Sequence, residues 1–273
     1  MPLVENTLER NFFRIHYWIS GNADAPLVVF THGATIDHHE WDATLPLVEA
    51  AGFRVLAWDM RGHGLSRPAS PVSVFGVFDF IEARDDLLAL LDKLGVEQVI
   101  LVGHSMGGNL HQEVVCHHPE RVKALVMLDC TWNFQQLSAS DKVWLKLAGP
   151  IFKLYPYKLL INQSLAVTAT SKESQELLRR SMQRLSKTEY VHILMNASQC
   201  LEYEPDFKIN KPLLLMIGDK EATGNIRKAM PLWAKHEGVE LVVIPDARHA
   251  ANLDQPEIFH KYLLDFLQPW SKP

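Results

Sequence analysis

Most of the short strand-like runs in this chain are apolar from end to end, where a strand with one wet face would alternate. They fall at residues 12–19, 27–31, 54–58, 99–102, 124–128, 213–217 and 241–244. Stretches with helical spacing lie between or after them, at 39–51, 79–94, 106–117, 225–236 and 256–267. Strands buried on both faces and joined through helices specify a mostly parallel sheet with helices on both sides, an α/β fold. One segment breaks this rhythm. From residue 131 to about 208 no strand-like run occurs, and apolar residues recur three and four apart. The spacing predicts a helical insertion over 131–208, with 1–130 and 209–273 forming one core.

The run at 99–102 ends in Gly-His-Ser-Met-Gly, residues 103–107, and a helical stretch follows at once. This is the pattern GxSxG at a strand-to-helix turn, sharp enough to present Ser105 as an exposed nucleophile. The same turn with Ser105 as a plain helix N-cap is the alternative. A nucleophilic serine needs a base and an oxyanion site. After the run at 27–31 come His32, Gly33 and Ala34, and in an open parallel sheet this loop faces the one bearing Ser105. The N–H groups of Ala34 and Met106 are then placed to bind a developing oxyanion. His249 lies in the loop between the last strand and the last helix, at the same sheet edge, as a general base should. Of the 13 histidines, His104, His111, His117 and His118 read as neighbours or surface residues, and His63 as part of a glycine-rich turn. His32, His38 and His39 invite a metal reading, but no i, i+4 pair supports it.

A net charge of −5 gives no electrostatic reason for nucleic acid or an anionic membrane as partner, and a small neutral or mildly polar ligand fits better. Three cysteines, irregularly spaced, make neither a disulfide framework nor a metal site. Reduced thiols and the lack of an apolar leader lead to the expectation of a cytoplasmic protein, with a homodimer left open.

Beyond GHSMGG, the chain carries FTHG at 30–33, WDMRGHGLS at 58–66, PERVKALVMLD at 119–129, LLLMIGDKE at 213–221 and RHAANLDQPE at 248–257. Together these resemble the α/β-hydrolase superfamily. Within it, ATIDHHEW and HAANLDQPE are similar to the small lactonases and esterases of the 3-oxoadipate enol-lactonase group. The resemblance implies an eight-stranded sheet, a cap formed by 131–208, and a Ser105–His249–acid triad acting on a small ester or lactone without cofactor or metal. The acid's usual place, counted from Gly218, is occupied by Glu221, a glutamate where aspartate is customary. Asp129, at the end of the sixth strand, and Asp219 remain rivals for that role. Asp59 reads as a structural carboxylate holding the 61–66 loop. Trp132, Phe134, Trp144, Phe152, Tyr155 and Tyr157 either line a pocket or form the core of the cap. Serine at the nucleophile position argues against the aspartate-based dehalogenase and epoxide-hydrolase chemistries. Carbon–carbon hydrolase or lyase-like chemistry, and a small-molecule receptor that retains the triad, remain as alternatives.

Overall fold

Neighbouring residues of a single strand serve two different cores. In β3 (Leu27–Thr31), Leu27 and Val29 pack into one cluster with Ala83 and Leu87 of α2 (Phe80–Lys93), Leu110 of α3 (Met106–His117) and Trp233 of α8 (Ile226–Glu237). Val28 and Phe30 pack into the other, with Leu45 and Val48 of α1 (Leu45–Ala50) and Phe259 and Leu263 of α10 (Pro256–Leu267). Such a strand has no solvent side on which a polar residue would be tolerated.

The computed structural model describes residues 3–68 and 76–271. Its sheet has eight strands in the order β1-β2-β4-β3-β5-β6-β7-β8. The remaining strands are β1 (Val4–Arg10), β2 (Phe13–Ser20), β4 (Arg54–Trp58), β5 (Val99–His104), β6 (Val122–Leu128), β7 (Leu213–Gly218) and β8 (Leu241–Ile244). β1 and β2 pair antiparallel, β2 joins β4 antiparallel, and every later pair is parallel. β1 escapes the apolar pattern because it is a polar edge strand, VENTLER, with no fully buried residue. The stretch at 39–51 is not one helix: a 3-10 turn, His38–Trp41, precedes the short α1.

From β3 the chain passes to β4 on one side, and later to β5 on the other. The carboxyl ends of β3 and β5 are therefore where the winding reverses and a crevice opens. Four helices lie between β6 and β7: α4 (Ala139–Leu154), α5 (Tyr157–Thr168), α6 (Lys172–Met182) and α7 (Lys187–Asn196). This insertion is tied to the loop after β8. Ala250 N–H donates to the Thr168 carbonyl at 2.8 Å, and Thr170 N–H to the Asp254 carboxylate at 2.8 Å.

Candidate active site

Ser105 sits between β5 and α3 with φ 50° and ψ −119°. A non-glycine residue held there stores roughly 1–3 kcal/mol of strain and persists only where its surroundings fix it. They do so from both sides: Ser105 N–H donates to Leu128 O at 2.9 Å, and Asn109 N–H donates to Ser105 O at 3.0 Å. The glycines let α3 press onto the sheet. A β-carbon at Gly107 would stand 2.3 Å from the Thr31 carbonyl oxygen, and one at Gly103 would stand 2.6 Å from the Gly108 nitrogen.

His249, in the loop between β8 and the single-turn α9 (Ala251–Asp254), meets this serine. Its Nε2 is 2.9 Å from Ser105 Oγ, and its Nδ1 is 2.6 Å from Glu221 Oε2. Because Nδ1–H donates to the carboxylate, Nε2 keeps its lone pair and accepts from the serine hydroxyl. Glu221 is fully buried in the turn after β7. Burial opposes its ionisation, but His249 and the Thr223 N–H outweigh that and hold its carboxyl below the usual range.

The rival carboxylates are occupied elsewhere. Asp219 accepts from Ala247 N–H at 3.1 Å, joining the loops after β7 and β8. Asp129, with φ 44°, accepts from Gly218 N–H at 2.8 Å and Ala251 N–H at 3.4 Å. It thus braces the backbone beside both Glu221 and His249. Burial, and then the charge on Glu221, push the Asp129 carboxyl well up.

His104, expected as a neighbour or surface residue, and Glu40, for which the sequence offered no role, are both buried at the site. His104 Nδ1 lies 2.6 Å from Glu40 Oε1, and its Nε2 lies 2.8 Å from the carbonyl oxygen of His249. Each ring nitrogen therefore faces an acceptor. Burial disfavours charge on His104, but Glu40 and the His249 carbonyl together raise its pKa above the ordinary imidazole value. Glu40 also accepts from Gly33 N–H at 3.1 Å. One buried pair thus links the backbone of Ala34's neighbour to the backbone of His249. The only local hint is a charged residue beside the fully buried Trp41.

The loop after β3 separates its histidines. His32 turns inward, with Nδ1 at Gly33 O, 2.7 Å, and Nε2 accepting from Met60 N–H at 3.0 Å. Asp37, His38 and His39 place ligand-type atoms within 4.8 Å of one another, while His38 and His39 each turn Nδ1 to a carboxylate, Asp59 and Asp42. Asp59 also accepts from the N–H groups of His38, 2.9 Å, and Leu65, 2.7 Å. Burial opposes its charge, yet these donors bring its pKa from 3.8 down to about 2. A carboxylate depressed by folding stabilises the fold above its unfolded pKa. That contribution, on the order of 2 kcal/mol, is lost as pH falls from about 4 through about 2. Asp59→Asn is expected to lower stability at neutral pH and to flatten the loss over that window, read from urea midpoints at each pH. An unchanged slope would remove Asp59 as the source.

Two cavities meet at Ser105. One, about 610 Å³, is lined by Met106, Asn109, Thr131 and Asn225 among others. The other, about 410 Å³, is more apolar and includes Ala34, Phe152, Leu160, Met182 and His249. Among the described residues neither lining contains a lysine or an arginine. Of the aromatic candidates, Trp144 borders both cavities and Phe152 the second. Phe134 instead packs on Phe207 with ring centres 4.5 Å apart, Trp132 on His236 at 4.7 Å, and the Tyr157 hydroxyl donates to Leu185 O at 2.7 Å. Tyr190, which also lines the second cavity, was not foreseen.

Residues 26–256 match the family model described as alpha/beta hydrolase fold. A bifunctional esterase/perhydrolase from Acinetobacter calcoaceticus is 36% identical over 114 residues, 42% of this chain and 40% of that protein. A bifunctional epoxide hydrolase 2 from Sus scrofa is 31% identical over 144 residues, 53% of this chain and 25% of that protein. The chain thus spans less than half the length of these curated relatives. The enol-lactonase from Burkholderia xenovorans LB400 superposes with a TM-score of 0.80 at 21% identity, covering 96% of this chain and 99% of that one. At that identity the likeness bears on the fold.

Proposed function

This chain belongs to the alpha/beta hydrolase fold family, and from that premise we propose that it is a serine hydrolase cleaving a carboxylic ester or lactone that carries no negative charge. The observation that carries this reading is the unbroken line from Ser105 Oγ through His249 to Glu221, at 2.9 and 2.6 Å. His249 takes the serine proton as Oγ attacks the acyl carbon, then returns it to the leaving alcohol. Glu221 fixes the imidazole tautomer and stabilises the imidazolium. The N–H groups of Ala34 and Met106, at the edges of the cavities beside Ser105, bind the tetrahedral oxyanion. Water, activated by the same histidine, releases the acid. The 131–208 insertion acts as a cap, because Trp144 and Phe152 from α4 wall the cavities that meet at the serine.

A substrate without a carboxylate of its own is favoured by linings that hold no lysine or arginine and, in the first cavity, include Asp141, since a buried carboxylate left unpaired is costly. The test is a panel of activated esters and lactones, neutral and carboxylated, together with mass spectrometry of the chain after a fluorophosphonate. We expect repeated turnover, a preference of about tenfold or more for the neutral member of each pair, and one phosphonate per chain, on Ser105. Labelling without turnover would favour a receptor that retains the triad. Turnover with no modification of Ser105 would end the serine mechanism.

A further inference from the structure

We propose that α4 docks flat on an anionic lipid surface, with the apolar face of Val143, Leu147, Ile151 and Leu154 in the lipid and Lys142, Lys146 and Lys153 at the headgroups. This goes beyond the chemistry at Ser105 and does not rest on it.

A helix on a protein surface normally turns its apolar stripe inward and its polar face to water. α4 has only Ala148 and Gly149 buried, although it runs for 16 residues and is rich in large apolar side chains. Leu154 is 86% exposed, Val143 56%, Leu147 51%, Trp144 49% and Ile151 37%. Steps of four, four and three residues put Val143, Leu147, Ile151 and Leu154 on one helix face. A contiguous face of this kind marks an interaction site, whereas scattered exposed leucines would not.

The lysines identify the partner. Lys142, Lys146 and Lys153 each immediately precede one of those residues, so they form a row along one edge of the stripe. From Lys142 to Lys172 the chain carries five lysines and no aspartate or glutamate, within a molecule whose net charge is −5. The whole-chain charge, which gave no reason to expect a membrane partner, averages this row away. A second copy of the chain packed antiparallel would set one lysine row against its twin. Among the described residues no helix is long and apolar enough to cross a membrane. An apolar stripe edged by lysine is the pattern of a helix lying in the interface, drawn there by anionic headgroups. Trp144, Leu145 and Phe152 of the same helix line the cavities at Ser105, so docking would put the cavity wall next to the lipid.

The experiment is co-sedimentation of the full chain with vesicles of phosphatidylcholine containing about a third phosphatidylglycerol, beside vesicles of phosphatidylcholine alone. We expect partitioning at least about tenfold stronger onto the anionic vesicles, weakening as salt is raised. The double variant Leu147→Glu/Leu154→Glu should lose about tenfold or more. The triple variant Lys142→Glu/Lys146→Glu/Lys153→Glu should lose about a hundredfold. Unchanged melting temperatures would show that both variants fold. Turnover of a water-soluble ester, measured in parallel, separates the two readings: its absence in the parent chain would count against the hydrolase assignment and leave the docking result standing. The proposal is overturned if the parent chain stays in the supernatant or partitions equally onto both kinds of vesicle, if both variants still sediment, or if Leu147→Glu/Leu154→Glu instead splits a dimer into monomers.

Discussion

Replacing Ser105 with alanine is expected to lower kcat on an activated ester by on the order of a million-fold and to abolish phosphonate labelling. His249 and the two N–H donors would remain, so a residue of catalysis above the rate in water should persist. The fold should survive. Alanine takes the same positive-φ position that the Leu128 and Asn109 hydrogen bonds hold through the backbone, and removing one partly buried oxygen should change stability by no more than about 1 kcal/mol. Burst kinetics and an unfolding curve measured on one preparation check both halves. A variant that keeps turning over at a substantial fraction of the parent rate would mean that water, activated by His249, attacks directly.

The second large effect concerns the acid. Glu221→Gln should lower kcat about ten-thousand-fold, as an amide facing His249 Nδ1 favours the tautomer whose Nε2 carries the proton and cannot accept one from serine. Asp129→Asn should cost less than about tenfold. Burial and the charge on Glu221 already push the Asp129 carboxyl up towards its neutral form, and asparagine keeps the carbonyl oxygen that receives the Gly218 N–H while giving up only the longer, 3.4 Å contact with the Ala251 N–H. The contrast between the two amides is the measurement. If Asp129→Asn were the crippling change and Glu221→Gln the mild one, the acid would belong to the end of β6.

What could be read in advance follows from how far each signal travels along the chain. The strands β3 to β7 were legible because burial on both faces forces an uninterrupted apolar run, a local property. β1 was not, since an edge strand with one partner can afford VENTLER. Ser105 was legible because a tight turn at a strand end must spell itself in adjacent glycines. The pairing of Glu40 with His104 has no such spelling. It exists because the winding reverses between β3 and β5 and brings two remote loops together. Glu221 was reached by position relative to Gly218, yet its advantage over Asp129 is a matter of which carboxylate oxygen faces His249. The aromatic residues of the insertion divided unevenly for a related reason. Helical spacing says which residues share a face but not whether that face meets the core, the cavity or water.

The hydrogen bond from Ala250 to Thr168, with its neighbour from Thr170 to Asp254, bears on how such a molecule can be re-engineered. The insertion leaves and re-enters the core between β6 and β7, which makes it look like a detachable module that could be exchanged for another to change specificity. Yet the last turn of α5 supplies a carbonyl to the residue next to His249. A transplanted insertion without an acceptor there would free the His249 loop while leaving every side chain of the proposed triad in the sequence. The natural unit of exchange is therefore larger than the four helices and includes the α5 end together with the 250–254 turn. A chimera cut by that boundary keeps His249 in register with Ser105, whereas one cut at the strand ends folds around a histidine that has lost its stop.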